Sequence, residues 1–439
     1  MNIAVVGTGY VGLVSGVCFA EIGHQVICID IDTEKIKKLN SGKSTIYEEG
    51  LENMIQKNLS SGNLTFSTDV IGGIQKSDVI FFALPTPPNE DGSADLKHVI
   101  AVAENISPSI NSYKVVVNKS TVPVGTCDKI QQIFDKKSPH HVDVVSNPEF
   151  LKEGVAVKDF LFPNRIVIGT ESERARKIME DVYAPLVNNG AKCIFMDERS
   201  SELTKYTANS FLAMKITFMN EIANICEKFG ADIESVKAGI GDDDRIGNKF
   251  LNAGIGYGGF CFPKDVKALI HSSSSVGYDL KVLKLVDSIN KKQIFTLVNK
   301  IEKHFNSDLD GKKLAIWGLS FKPDTDDIRE APALGIIEYL LSKYEVHLHV
   351  YDPESTHNVK EIYGNRIQYG YDKYDCLHNS DALIICTEWK EFKLTDWSKV
   401  QKELKKPVIF DGRNMFSLRT FDNHNLTYYS IGRRDIKAK

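Results

Sequence analysis

The decapeptide "GYGGFCFPKD", residues 256–265, sets one cysteine between a glycine cluster and a helix start. A thiol reacts as its thiolate, which is favoured where unpaired main-chain amides and a helix dipole supply positive potential. Pro263 suits the first position of a helix, where its missing N–H would have no partner anyway. The stretch "PKDVKALIHS" is therefore expected to be helical, with Cys261 just before its N-terminus. Lys264 adds positive charge nearby, and Gly256, Gly258 and Gly259 are expected to leave room for a ligand against the main chain. The competing reading is a buried structural thiol. It fits the other seven cysteines, at 18, 28, 127, 193, 226, 376 and 386, none of which has this setting.

A second chemistry is written at the N-terminus. Gly7, Gly9 and Gly12 form G-x-G-x-x-G directly after the apolar stretch "NIAVVG" and open a helical run, "YVGLVSGVCFAEIG". In that context the glycines let the main chain approach a pyrophosphate seated at the helix N-terminus. Asp30, closing "QVICID", would take the adenosine ribose hydroxyls. Asp32 adds negative charge, and no arginine follows at once to hold a 2′-phosphate, which favours NAD over NADP. Lys205 and Asn209 in "KYTANSF" are four apart and share a helix face. "NPEFLKEG" (147–154) places Glu149, Lys152 and Glu153 just past a strand, and "STVPVG" (120–125), with Thr121, follows another. Ligands of open parallel sheets bind beyond such strand ends. Solvated helix positions and plain loops are the competing readings here.

The elements that must position these residues alternate strand and helix. After "NIAVVG" and "QVICID", the apolar runs "DVIFFAL", "KVVVNKS" and "VDVVSN" continue the pattern of a parallel sheet covered by helices. Residues 200–229 carry apolar positions every three to five residues with no glycine or proline, which predicts one helix about 45 Å long at 1.5 Å per residue. Its apolar residues occupy more than one face, as expected of a helix that joins two lobes and meets a second subunit. "KLAIWG" and "EVHLHVYD", ending in Asp352, then repeat the opening pattern, and "DALIICTEW" and "PVIFDGRN" supply more strands. The expected fold is α/β: two Rossmann-like, doubly wound parallel-sheet lobes, 1–199 and 301–439, joined by a long central helix in a helical middle, 200–300. The second lobe lacks G-x-G-x-x-G and is expected to hold its ligand through "GLSFKPDTDDIREAP".

Bulk properties narrow the class. A chain of 439 residues is too long for one core. A net charge of −4 gives no electrostatic case for nucleic acid. No apolar run reaches the ~18 residues needed to span a bilayer, and "MNIAVVGTGYVG" has no basic leader region. The cysteines show neither C-x-x-C nor zinc spacing, so no metal is expected, and they read as reduced thiols of a cytoplasmic protein.

Together these motifs resemble the UDP-glucose/GDP-mannose dehydrogenase family over nearly the whole chain, through "GTGYVGL", "STVPVGT", "NPEFLKEG", "KYTANSFLAMKI", "FLNAGIGYGGFCFPKD" and "GLSFKPDTDDIRE". Phe260 before Cys261 and "FPKD" after it are similar to the UDP-glucose branch rather than the GDP-mannose or UDP-N-acetylhexosamine branches. The resemblance implies NAD-dependent, four-electron oxidation of UDP-glucose at C6 to UDP-glucuronate, through a thiohemiacetal and then a thioester on Cys261. It implies that Lys205 steadies the oxyanion, that Asn209 and Asp265 position the reacting water with help from Thr121, and that Glu153 carries protons. Implied cofactor residues are Gly7, Gly9, Tyr10, Val11, Gly12 and Asp30, with Lys35, Thr86, Thr121, Glu153, Lys264 and Arg329. Implied substrate residues are Glu149, Phe150, Leu151, Lys152 and Glu153, then Lys205 and Asn209. Phe250, Leu251, Asn252, Ala253, Gly254, Tyr257 and Gly258 follow, with Lys322 and, from a neighbouring subunit of a homodimer, Arg245. Relatives often carry arginine where Lys152 stands, which alters hydrogen-bond geometry. The alternatives are a dehydrogenase of another nucleotide sugar, a two-electron hydroxy-acid dehydrogenase with no use for Cys261, and a non-catalytic NAD-binding redox sensor. The last leaves Lys205, Asn209 and Asp265 unexplained.

Overall fold

The computed structural model describes residues 1–421 and 424–438. They divide into two compact units, Met1–Ala208 with Lys267–Tyr278, and Asn209–Val266 with Asp279–Lys439.

The first unit is built on β1 (Asn2–Val6), β2 (Gln25–Ile29), β3 (Leu64–Ser67), β4 (Val79–Phe82), β5 (Lys114–Asn118), β6 (Val142–Ser146), β7 (Ile166–Gly169) and β8 (Cys193–Met196). Among the described residues they form one sheet in the order β3-β2-β1-β4-β5-β6-β7-β8. Ile3 and Val5 of β1 enter one core with Leu13, Val17 and Phe19, while Ala4 and Val6 enter the opposite core with Ile80 and Phe82. Burial on both faces is why these strands read as continuous apolar runs. The sheet is not wholly parallel, as the sequence suggested: β6 and β7 meet antiparallel, at Ser146 and Gly169. The connection between them holds a helix of only 6 residues, Ala156–Leu161. The connection lacks the full-length crossover helix that usually returns the chain for a parallel joint, and β7 enters from the other end. The strand order reverses between β1 and β4, which places the crevice of the fold beyond their carboxyl ends. The late segment Lys267–Tyr278 also belongs here, with His271 Nε2 3.4 Å from the Asp91 carboxylate.

The second unit carries β9 (Lys313–Trp317), β10 (His347–Tyr351), β11 (Gln368–Tyr369), β12 (Ala382–Ile385), β13 (Val408–Asp411) and β14 (Thr427–Tyr429). All joints are parallel in the order β11-β10-β9-β12-β13-β14. This repeats the order of the first six strands of the other sheet. Leu314 and Ile316 face a core shared with Met219, Ala223 and Cys226 of the helix Glu198–Phe229 and with Leu297 and Ile301 of the helix Lys281–His304. Ala315 and Trp317 face the other core, with Phe392 and Tyr428. The long helix has 32 residues, about 48 Å, and begins two residues earlier than the sequence suggested. In this unit it leaves Phe211, Phe218, Ile225 and Phe229 exposed.

The two sheets differ at the turn that matters. Gly318 has φ 87° and follows β9 as Gly7, with φ 98°, follows β1. In the second unit, however, Asp352 Oδ2 accepts from Leu319 N (2.7 Å), Ser320 N (3.2 Å) and Trp389 Nε1 (3.0 Å). That carboxylate is buried and fully engaged, so the second sheet offers no acid to a ribose. Among the described residues no helix is long and apolar enough to cross a membrane.

Candidate active site

The glycines after β1 divide the work between them. A Cβ on Gly7 would lie 2.4 Å from Ala83 O, and one on Gly12 would lie 1.9 Å from Gly7 O; one on Gly9 would meet nothing within 4 Å. Gly7 and Gly12 are therefore required by packing, and Gly9 is the position that opens onto free space. The helix Tyr10–Glu21 starts there with no side-chain cap and no acid in its first turn. Among the described residues no N-cap side chain accepts from its first amides, which with the helix dipole is a fit for a pyrophosphate.

Asp30 closes β2. Its Oδ2 accepts from Thr8 N (2.9 Å) and Thr8 Oγ1 (2.7 Å), and Lys35 Nζ lies 3.5 Å away. Burial would raise this carboxyl, but the Thr8 hydroxyl and amide, the Asp32 amide and Lys35 hold it below the usual carboxylate range. Asp32 serves as a cap rather than free charge, accepting from Lys35 N at 3.0 Å. Thr86 Oγ1 donates to Thr121 O (2.9 Å), tying the loop after β4 to the loop after β5.

The loop after β6 carries Glu149, which is buried. Its Oε1 accepts from Lys205 Nζ at 2.9 Å and its Oε2 from Leu151 N at 2.6 Å. Burial raises the carboxyl, and Lys205 with the Leu151 amide outweighs it, so Glu149 is held ionised. Phe150 is covered by two cations, with Arg165 3.9 Å and Lys205 5.3 Å from its ring centre. Lys152 is drawn to Asp159, 3.1 Å away. Glu153 is half-buried, beside the left-handed turn at Gly154.

Three residues that the sequence reading passed over hold this region. Glu48 accepts from the Tyr10 hydroxyl and from Gly154 N (2.9 Å), joining the dinucleotide turn to the Glu153 loop. Glu202, buried on the long helix, accepts from Gly125 N (2.6 Å) and Cys127 N (2.8 Å) and so caps the helix Thr126–Lys137. Lys119, also buried, donates to Asn147 Oδ1 at 3.2 Å. Position is the one sequence signal, and only for two of them: Lys119 adjoins "STVPVG" and Glu202 adjoins "KYTANSF", whereas Glu48 adjoins no motif.

The cysteine segment belongs to the second unit up to Val266. Its helix, Cys261–Ser275, begins at Cys261 itself, so the expected start at Pro263 is two residues late. Proline is tolerated anywhere in a first turn, since those N–H groups have no intrahelical acceptor. Cys261 is half-buried. Burial pushes the thiols of Cys28 and Cys386 up to about 12 and raises those of Cys18, Cys127, Cys193, Cys226 and Cys376 as well. One turn on, Asp265 is buried, with Oδ1 accepting from Lys264 Nζ and Oδ2 from Asn209 Nδ2, each at 2.6 Å. The Phe260 ring lies between Arg329 (4.3 Å) and Lys264 (5.4 Å).

The glycines before Cys261 do not leave the space the sequence suggested. A Cβ on Gly258 would sit 2.2 Å from Glu330 O, and one on Gly259 2.7 Å from the Phe321 ring. Their bare α-carbons admit protein, so a ligand would meet their main chain alone. Leu251 and Ala253 face the core, so they offer a ligand main chain alone. Phe250 takes φ 63°, and Asn252 Oδ1 accepts from Lys237 Nζ (3.2 Å). Gly254 N donates to Asn220 Oδ1 (2.8 Å), and Tyr257 N to Asn290 Oδ1 (2.9 Å). Lys322 lies 5.7 Å from the Phe321 ring. Arg245 stands apart, exposed and paired with Asp243 at 2.6 Å. The structure thus gathers Glu149, Phe150 and Lys205 in one unit, and Asn209, Asp265, Lys264, Phe260 and Arg329 in the other. Lys205 and Asn209 are one turn apart on the same helix. Among the described residues no group of three His, Cys, Asp or Glu could hold a metal.

Three family models match this chain. Residues 1–187 match the NAD binding domain of the UDP-glucose/GDP-mannose dehydrogenase family, 199–292 its central domain and 315–418 its UDP binding domain. UDP-glucose 6-dehydrogenase TuaD of Bacillus subtilis is 46% identical over 439 residues, covering 100% of this chain and 94% of the relative. The structure of a UDP-glucose dehydrogenase from the archaeon Pyrobaculum islandicum is 34% identical with a TM-score of 0.91, covering 98% of both chains. That of a UDP-D-ManNAc dehydrogenase from Pyrococcus horikoshii is 26% identical with a TM-score of 0.87, covering 99% of this chain and 100% of the other.

Proposed function

The chain belongs to the UDP-glucose/GDP-mannose dehydrogenase family, and on that premise we propose that it oxidises UDP-glucose at C6 to UDP-glucuronate. NAD, when bound, supplies the hydride acceptor for each of the two oxidations. The turn at Gly7, Gly9 and Gly12 with Tyr10 and Val11 would hold its pyrophosphate. Asp30 would hold its ribose, and Lys35, Thr86, Thr121, Glu153, Lys264 and Arg329 would complete the contacts. Residues 1–199 are the NAD-binding part, 200–300 the helical middle and 301–439 the UDP-sugar part. The sugar nucleotide would lie on Glu149–Glu153, Lys205, Asn209, the main chain of 250–254, Tyr257, Gly258 and Lys322.

The first oxidation turns the C6 alcohol into an aldehyde. The Cys261 thiolate then bonds to the carbonyl carbon, and a proton passes to the oxygen, giving a thiohemiacetal. Its C–H and O–H bonds lose hydride and proton in the second oxidation, leaving a thioester. Water adds to that carbon, the C–S bond breaks, and the thiol and the carboxylic acid are released. Lys205 answers the negative charge that builds on the oxygen at both additions. Asp265, locked by Lys264 and Asn209, orients the water with Thr121, and Glu153 carries the proton. The observation that carries this reading is the contrast among the thiols. Cys261 heads a helix, and burial raises the other seven.

The exposed Phe211, Phe218, Ile225 and Phe229 support a homodimer built on the long helix, with Arg245 serving the partner's sugar nucleotide. The reduced state of the thiols supports action in the cytoplasm. Limiting UDP-glucose with excess NAD+ should yield two NADH per sugar, read by absorbance. A ratio of one would overturn the four-electron reading, and a panel of other nucleotide sugars tests the substrate.

A further inference from the structure

Lys119 has no part in the chemistry above, yet it sits beside it. It follows β5 and is 4% exposed. Its Nζ donates to Asn147 Oδ1, which also accepts the Tyr183 hydroxyl, and the Phe160 ring lies 6.0 Å away. A buried ammonium is unfavourable unless an opposite charge answers it. The answering charge is Glu149, and Glu149 is already shared: Oε1 with Lys205 and Oε2 with the Leu151 amide. Lys119, Asn147 and Glu149 line one cavity, so two buried ammonium groups act on one buried carboxylate, Lys205 by direct contact and Lys119 without one.

We propose that Lys119 is a positioning residue of the reaction: as the second cation of the Lys119–Glu149–Lys205 cluster it keeps Glu149 ionised, so that Glu149 can hold the Lys205 ammonium for the reacting oxygen. The inference rests on the role given to Lys205 in the oxidation of UDP-glucose.

The electrostatics agree in sign. Burial raises the Glu149 carboxyl, and Lys205 first, the Leu151 amide next and Lys119 last bring it down. Burial pushes Lys119 down to about 8, with Glu149 opposing and Lys205 adding to the fall. The groups that face Lys119 are Glu149 on the loop after β6, Lys205 on the long helix, and Tyr183 on the helix Glu173–Asn188. Burial raises the Tyr183 hydroxyl, which stays protonated. As pH rises through about 8, Lys119 loses its charge and its hold on Glu149. As pH falls, Glu149 protonates at a value that Lys119 helps to depress.

The test compares kcat against pH for the wild-type enzyme, Lys119→Met and Lys119→Gln, with saturating UDP-glucose and NAD+. Glutamine keeps a donor for Asn147 without the charge. Both variants are expected to fold by circular dichroism and to bind NAD+ by fluorescence. Their kcat should fall roughly ten-fold, less than the ~10²–10³ lost with a direct oxyanion donor. Their acid limb should move to higher pH, and the fall through about 8 expected of the wild type should be missing. Profiles of wild-type shape, merely scaled down, would overturn the proposal and leave Lys119 a strut of the fold. So would failure of both variants to fold. The wild-type progress curve is read first. If UDP-glucose gives no NADH, the functional reading fails and takes this inference with it; if NADH forms, only the variant profiles judge Lys119.

Discussion

At the scale of single residues, Cys261 should be irreplaceable. In Cys261→Ser the side chain is similar in size, so NAD+ and UDP-glucose should still bind. A thiol has a reference pKa of about 8.5, far below that of a serine hydroxyl. A helix N-terminus contributes only ~0.3–1 kcal/mol to an anion beside it and does not close that gap. Steady-state NADH release should fall by roughly 10³-fold or more, as when other covalent nucleophiles are removed. Near-normal turnover would refute the assignment. Cys386→Ser should keep its turnover, because that thiol is buried and uncharged. Asp30 makes the second residue-scale prediction. Thr8 and Lys35 keep it ionised against burial, so it repels a 2′-phosphate. The wild type should prefer NAD+ in kcat/KM by roughly a hundred-fold, and Asp30→Ala should narrow that preference about ten-fold, each decade being ~1.36 kcal/mol. Equal use of both cofactors by the wild type would count against Asp30. Legibility at this scale followed chemistry. Gly7, Gly9 and Gly12 were readable because a ligand motif fixes their spacing, whereas the packing of Gly258 against Glu330 and of Gly259 against Phe321 was not, because a glycine that admits protein looks the same in sequence as one that admits a ligand.

At the scale of elements, the long helix was legible because thirty uninterrupted residues of helical period leave no other reading. The strands β3 and β8 were not, since they are only partly buried, whereas β4, equally short at 4 residues, is buried throughout and reads as an apolar run. Glu202 shows what such reading misses. It spans from the long helix to the N-terminus of Thr126–Lys137, so its partners are 75 and 77 residues away in sequence. Glu202→Ala leaves the buried Cys127 amide and the part-buried Gly125 amide without this acceptor, which should lower stability by ~1–3 kcal/mol. Denaturant titration measures this as a lower midpoint at unchanged slope. An unchanged midpoint would show that water replaces the carboxylate. The Thr121 loop leads directly into that capped helix, so kcat should fall along with stability.

For the whole molecule, the doubling of the α/β pattern could be seen from Asp30 and Asp352 ending corresponding strands. That only the first acid is open to a ligand could not, because Trp389 closes on Asp352 from 37 residues away. Assembly gives the prediction at this scale. Phe218 is 58% exposed on the long helix. Phe218→Asp should turn a dimer into monomers by sedimentation and, if Arg245 serves its neighbour, reduce activity with it. A wild-type protein that sediments as a fully active monomer would refute the dimer.

The first unit is also discontinuous in sequence: Lys267–Tyr278 completes it after the chain has left it at Ala208. Protein synthesis runs at ~5–20 residues per second, so the ribosome needs on the order of ten seconds to travel from the end of the first segment to the end of the second. For that interval the nascent sheet stands without its last piece, and Asp91 waits for His271. No single cut in the gene yields the first unit whole. The protein is therefore inherited, synthesised and lost as one object, although it contains two sheets of the same design.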